Sequence, residues 1–168
     1  MTDGWTPCVV ALGSNLGDRE DLAQRALADI RAAEGFVLRA ASSVRETLAL
    51  GADGVDLEAP RYLNQVILLD SAWSPERTLG LLLGIEQAHG RVRGDQRDTK
   101  RYANRTLDLD LITYGDLVVQ SPSLSLPHPR AHERRFVLEP WNEVDPEAVL
   151  PGRGLVATLL GGLAPDAP

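Results

Sequence analysis

RTLDLDLITYGD, residues 105–116, has the alternation of a β-strand buried on one side. Leu107, Leu109 and Leu111 share one face; Asp108 and Asp110 share the other, with Ile112 and Tyr114 on the carboxylates' side. Carboxylates at i and i+2 sit roughly 6.5–7 Å apart along a strand, close enough to bend toward a common centre. Such a pair repels unless a cation lies between them. Solvated or arginine-paired charges on an exposed sheet face are the plain alternative. The surroundings favour a divalent metal, because Mg²⁺ is commonly held by one or two carboxylates together with substrate phosphates.

Those surroundings are cationic. Arg91, Arg93, Arg97, Lys100, Arg101 and Arg105 lie within 91–105, six of the 17 basic residues of a chain whose net charge is −7. An acidic protein with one concentrated basic loop suits a small polyanion rather than a nucleic-acid surface. Guanidinium forks match phosphate oxygens, so these arginines are candidate phosphate clamps. The glycine-rich GSNLGDRE (13–20) has neither the spacing nor the lysine of a Walker-type loop.

Outward from the strand, the remaining elements follow in order. PCVVAL (7–12) reads as a central strand, and Asp18 as the N-cap of a helix over about 19–33 that stops at Gly35. FVLRAASSVRET (36–47) reads as a strand running into a turn, and 51–61 as a polar loop. YLNQVILLD (62–70) is the third strand. Ser74-Pro75-Glu76 starts a helix that runs to about His89 and Gly90. Gly115-Asp116 marks a turn into a short partner strand near LVV, and LPHPRAHERRFVLEP (126–140) reads as a proline-bounded loop. A last short helix is expected at 155–163. The order β-α-β-β-α-β predicts a ferredoxin-like α+β sandwich, with helices on one face of an antiparallel sheet.

At 168 residues a single domain over 1–168 is expected, with mobile loops near 47–61 and 91–104. Cys8, the one cysteine, precludes an internal disulfide and fits a reducing compartment; its apolar setting reads as a buried structural thiol. The N-terminus has no basic segment ahead of its apolar stretch, and no apolar run approaches the roughly 20 residues that span a bilayer. The expectation is a soluble cytoplasmic protein, monomeric, with no membrane partner.

Other residues stand out singly. Glu86 follows Leu79, Leu82 and Leu83 on the apolar stripe of its helix, where a carboxylate needs a partner; the alternative is a stripe that has rotated to leave it exposed. His128 and His132 have the i,i+4 spacing of a helical metal pair, but Pro129 argues against a helix through both. His128, with Arg134 nearby, reads better as a hydrogen-bond donor that binds phosphate. Asn64 lies inside an apolar strand, where a carboxamide must find hydrogen bonds and could read the edge of a heterocycle.

ALGSNLGDR (11–19), YLNQVI (62–67), RTLDLDLI (105–112) and LPHPRAHERRFVLEP (126–140) together resemble the 6-hydroxymethyl-7,8-dihydropterin pyrophosphokinase family of folate biosynthesis, in matching order from about residue 8 to 146. The resemblance implies a ferredoxin-like fold that moves pyrophosphate from ATP to the pterin's hydroxymethyl oxygen, releasing AMP, with two Mg²⁺ ions. It makes Asp108 and Asp110 the metal ligands and, with Arg93 and Arg105, the catalytic group. It places Glu86, Arg91, Arg93, Tyr102, Arg105, Ile112, His128 and Arg134 at ATP, Tyr102 standing where the family pattern has tryptophan. Gly13, Thr47, Leu50, Tyr62, Asn64 and Phe136 fall in the pterin pocket. Two other classes are weighed against it. An RNA-binding module would need stacking aromatics and a basic surface, and this chain has 5% aromatics and a net charge of −7. Another Asp-x-Asp, Mg²⁺-dependent transferase with a nucleotide donor is the second.

Overall fold

The computed structural model describes residues 4–15, 19–51, 54–58, 61–89 and 107–165. The central sheet comprises β1 (Thr6–Ser14), β2 (Phe36–Ala41), β3 (Arg45–Thr47), β6 (Tyr62–Ser71) and β7 (Asp108–Tyr114). Between β3 and β6, β4 (Ala49–Gly51) and β5 (Gly54–Asp56) pair as a small hairpin. The helix α1 (Arg19–Ala32) follows β1, and α2 (Pro75–Ala88) follows β6. Along the sheet the strands run β2-β6-β1-β7, every pair antiparallel, with β3 on β6 beyond the end of β2. The path β1-α1-β2-β6-α2-β7 is the expected ferredoxin-like order.

Local chemistry accounts for these elements. Ser74 Oγ accepts from the Arg77 amide at 3.2 Å and Pro75 occupies the first helical turn, so α2 begins where the capping signal put it. Gly35 ends the α1 connection with φ +80°, and the Trp73 ring lies where a Cβ would stand, so only glycine fits. The expected cap Asp18 lies outside the described residues.

The leucine side of β7 is core. Leu107, Leu109 and Leu111 pack with Cys8, Val10, Leu12, Ile67 and Leu69 of the sheet and with Ala26, Ile30 and Leu82 of α1 and α2. Cys8 is 2% exposed, and burial first, then the Asp70 carboxylate, pushes its thiol up to about 12. It is structural, as expected, since a thiol held protonated is no nucleophile.

Three expectations need correction. Tyr114 does not share the aspartates' face. A bulge between Val9 and Val10 shifts the β1–β7 register past Leu111, and Tyr114 joins the leucine side, its hydroxyl donating to the Trp73 carbonyl at 2.7 Å. The segment near LVV does not pair with β7: β8 (Val119–Gln120) pairs with β9 (Ser125–Leu126) as a separate hairpin. Helices cover both faces of the sheet, not one. After a 3₁₀ turn at Ala131–Glu133, α3 (Arg135–Val144) continues through Pro140. The hairpin of β10 (Val149–Leu150) and β11 (Gly154–Leu155) leads to α4 (Val156–Gly161). Val137, Leu138, Trp141 and Val156 from these helices bury Val9, Val66 and Ile112 on the second face.

Candidate active site

The second face is only partly core. Pairing places Gly13 opposite Asp108 on one side and opposite Asn64 on the other, and Asn64 opposite Arg45. Directly paired residues point to the same face. One row across four strands therefore reads Asp108, Gly13, Asn64, Arg45. Asp110, paired with Ala11, stands one step behind Asp108 on the same face, in the row that continues through Ala11 to the buried Val66. Gly13 contributes no side chain, so nothing on β1 separates the acid pair from Asn64. A Cβ at this position would sit 3.9 Å from Asn64 Oδ1, ordinary contact, so the gap lies in the row above the backbone rather than in the backbone packing.

At the aspartate end, β7 is the sheet's edge strand. Its free side is tied at two points. Glu86, 1% exposed, accepts the Leu109 amide at 2.6 Å through Oε1. The Ile112 carbonyl accepts the His128 amide at 2.8 Å, which docks the 126–134 loop against the strand. The Glu86 carboxylate thus lies beneath the segment that carries both aspartates, and the reading of an exposed, rotated stripe is excluded. Arg134 brings its guanidinium to 3.7 Å from Asp110 Oδ2 and over the Phe136 ring at 5.6 Å.

His128 is neutral here. Burial, then the Arg134 charge, push it down to about 4; Asp108 opposes them and Arg130 adds to the fall. Its Nδ1 accepts from the Arg130 amide at 3.2 Å, which assigns the ring proton to Nε2. A neutral imidazole with one N–H suits an anion. His132 stands beside Glu133 at 3.5 Å. Among the described residues no three His, Cys, Asp or Glu side chains gather into a cluster. The acid pair offers hard oxygen donors, Asp110 one-third exposed, and leaves the other positions of an octahedral ion to water and phosphate: a donor set that fits Mg²⁺.

At the other end of the row, Asn64 is 6% exposed, donates from Nδ2 to Thr47 Oγ1 at 2.7 Å and lines a cavity of about 160 Å³. Arg45, Glu46, Thr47, Asn64, Phe136 and Glu139 line it. Tyr62, paired with Thr47, is half-buried at its flank. Leu50 lies on β4. The structure thus gathers Gly13, Thr47, Tyr62, Asn64 and Phe136 at one end and Glu86, Asp108, Asp110, Ile112, His128 and Arg134 at the other. Arg91, Arg93, Tyr102 and Arg105 lie outside the described residues.

Arg45, Glu139 and Glu143 went unread in the sequence. Glu143 accepts from Arg45, the Ser43 amide and Ser43 Oγ, each at 2.8 Å, and these bonds, Arg45 first, hold its carboxyl down at about 2. Glu139 meets Arg45 at 3.2 Å and Arg135 at 3.5 Å. The i,i+4 spacing of the two acids was the available signal, hidden because Pro140 made the segment read as loop.

Comparison with known proteins bears on this arrangement. The family model 7,8-dihydro-6-hydroxymethylpterin-pyrophosphokinase (HPPK) matches residues 9–146. A Synechocystis protein named 2-amino-4-hydroxy-6-hydroxymethyldihydropteridine pyrophosphokinase is 38% identical, over 87% of this chain and 70% of the relative. A Haemophilus influenzae protein of the same name is 34% identical, over 90% and 89%. Among solved structures, a Plasmodium falciparum HPPK-DHPS chain superposes with a TM-score of 0.68 at 12% identity, a likeness of fold. It covers 94% of this chain, which spans 45% of that longer one.

Proposed function

The chain belongs to the 7,8-dihydro-6-hydroxymethylpterin-pyrophosphokinase family, and on that premise we propose which of its side chains carry the reaction. The activity is transfer of a pyrophosphoryl group from ATP to hydroxymethyldihydropterin in folate synthesis. The alternative of another Asp-x-Asp transferase gains nothing from these matches. The observation that supports the assignment of roles is the row Asp108, Gly13, Asn64: a metal-binding acid pair and a heterocycle-reading carboxamide on one sheet face, with only a glycine between them.

Asp108 and Asp110 would hold two Mg²⁺ ions, which when bound supply charge neutralisation for the triphosphate and ease ionisation of the attacking hydroxyl. Arg134 and the Nε2–H of His128 bind phosphate oxygens beside them. Arg91, Arg93 and Arg105 complete the anion-binding surface, Tyr102 and Ile112 cover the nucleotide, and Glu86 fixes β7 under it. Asn64 and Thr47 hydrogen-bond the pterin edge, Phe136 and Tyr62 flank its ring, and Leu50 closes the pocket. The hydroxymethyl oxygen attacks the β-phosphorus in line, the bond to the α,β-bridging oxygen breaks, AMP departs, and Asp108 takes the hydroxyl proton. Positioning and charge stabilisation are what such a transfer asks of a protein.

The same reading takes the chain as one catalytic domain, working as a monomer in the cytoplasm. No helix among the described residues is long and apolar enough to cross a membrane. A coupled assay for AMP with 6-hydroxymethyl-7,8-dihydropterin as acceptor tests the proposal. AMP formed only with pterin and Mg²⁺ together supports it; release of a nucleoside diphosphate, or AMP independent of the pterin, overturns it.

A further inference from the structure

The cavity beside Asn64 has two walls on different elements. Thr47 and Asn64 stand on β3 and β6, while Phe136 stands on α3. Arg45 bonds the wall carried by β3 to the wall carried by α3. Its position opposite Asn64 in the β3–β6 pair puts it on the cavity face, two residues from Thr47. From there the guanidinium reaches Glu139 at 3.2 Å and Glu143 at 2.8 Å, about one turn and two turns along α3 from Phe136. Glu143 also takes both donors of Ser43, so the clasp grips β3 at its first residue and at the bend before it. Arg45 Nε is buried with no acceptor among the described residues, so the two carboxylates carry the whole pairing of the guanidinium. Neutralising either should loosen it.

We infer that Arg45, held between Glu139 and Glu143, is a positioning residue that sets the gap between Phe136 and the Asn64–Thr47 edge and so governs affinity for the pterin. The inference rests on the assignment of this cavity to the pterin. It separates the two substrates: the clasp lies at the far end of the row from Asp108, so pterin binding should respond to it and nucleotide binding should not.

The test is steady-state kinetics on the full chain. Arg45→Met should raise KM for the dihydropterin about tenfold, within the span of coupling energies for one ion-pair network, and leave KM for ATP within about twofold. Arg45→Lys, which can reach one carboxylate at a time, should fall between. Glu139→Gln spares Arg45 and should move pterin KM in the same direction, which keeps the inference open to test should Arg45→Met fold poorly. Arg25→Met, which breaks an exposed ion pair with Asp21 on α1, serves as a control and should change neither KM. An active wild type whose pterin KM is unmoved by Arg45→Met and Glu139→Gln overturns the inference, as does an equal rise in both KM values. A wild type that makes no AMP from the pterin overturns instead the functional reading beneath it.

Discussion

Asp110 lies two residues before Ile112, whose carbonyl accepts the His128 amide at 2.8 Å, and the roles of Asp110 and His128 can be separated by experiment. Asp110 is one-third exposed with the partly exposed Arg134 at 3.7 Å, so removing its carboxylate should leave the fold in place. Asp110→Ala should therefore keep the wild-type melting temperature and lose at least about a hundredfold in kcat, the order expected when charge stabilisation at the transferring phosphoryl is removed. A variant of undiminished rate would remove Asp110 from the metal site. His128 makes the opposite case, a group whose proton has been displaced. Burial and the Arg134 charge hold it at about 4, so at neutral pH it is an uncharged donor through Nε2. An NMR titration of its ring should find that low value in the ligand-free protein. Adding a non-hydrolysable ATP analogue without Mg²⁺ should raise it, because phosphate charge stabilises imidazolium. A midpoint near 6.5 in the free protein would mean the imidazole is not buried as described.

At the scale of elements, β7 works as a mount for two acids because its free edge is tied down. Replacing Glu86 by alanine leaves the Leu109 amide, buried in the core, without its acceptor, at a cost of about 1–3 kcal/mol. Glu86→Gln keeps an oxygen in place and should cost less. Urea unfolding should rank wild type above Glu86→Gln above Glu86→Ala, and an alanine variant as stable as wild type would show the bond to be incidental. The strand itself was legible from RTLDLDL, since a period of two is unambiguous when leucine and aspartate alternate. So were α1 and α2, with the capping serine and Pro75 in plain view. Tyr114 was misplaced because a bulge depends on register with β1, which the sequence of β7 alone does not carry. The helix α3 was hidden for a different reason: Pro140 removes one backbone donor, but the burial of Val137, Leu138 and Trp141 against the sheet outweighs that loss. Missing α3 concealed the clasp on Arg45, so the acid pair and Asn64 were legible and the wall facing them was not.

Over the whole molecule, the two faces of the sheet divide the work. One is filled by leucines, α1 and α2; the other gives up part of its core to the row from Asp108 to Arg45, and α3 and α4 bury what remains. The cost of that division should appear in acid. His128 has a folded value of about 4 against 6.5 unfolded, so between those values the unfolded chain binds a proton that the native site resists. The contribution of His128 is fully present above pH 6.5 and is lost as the pH drops toward 4. Glu143 has a folded value of about 2 against 4.5, so its contribution is present above 4.5 and is lost as the pH falls through 2. Both slopes have the same sign, and they occupy adjoining windows at opposite ends of the site. Denaturant unfolding of the wild type should therefore show midpoints that decline from pH 7 through pH 3. His128→Gln should flatten the upper part of that decline, between pH 6.5 and 4, and Glu143→Gln the lower part. If both variants track the wild type across the range, the acid sensitivity lies elsewhere and neither end of the row stores it.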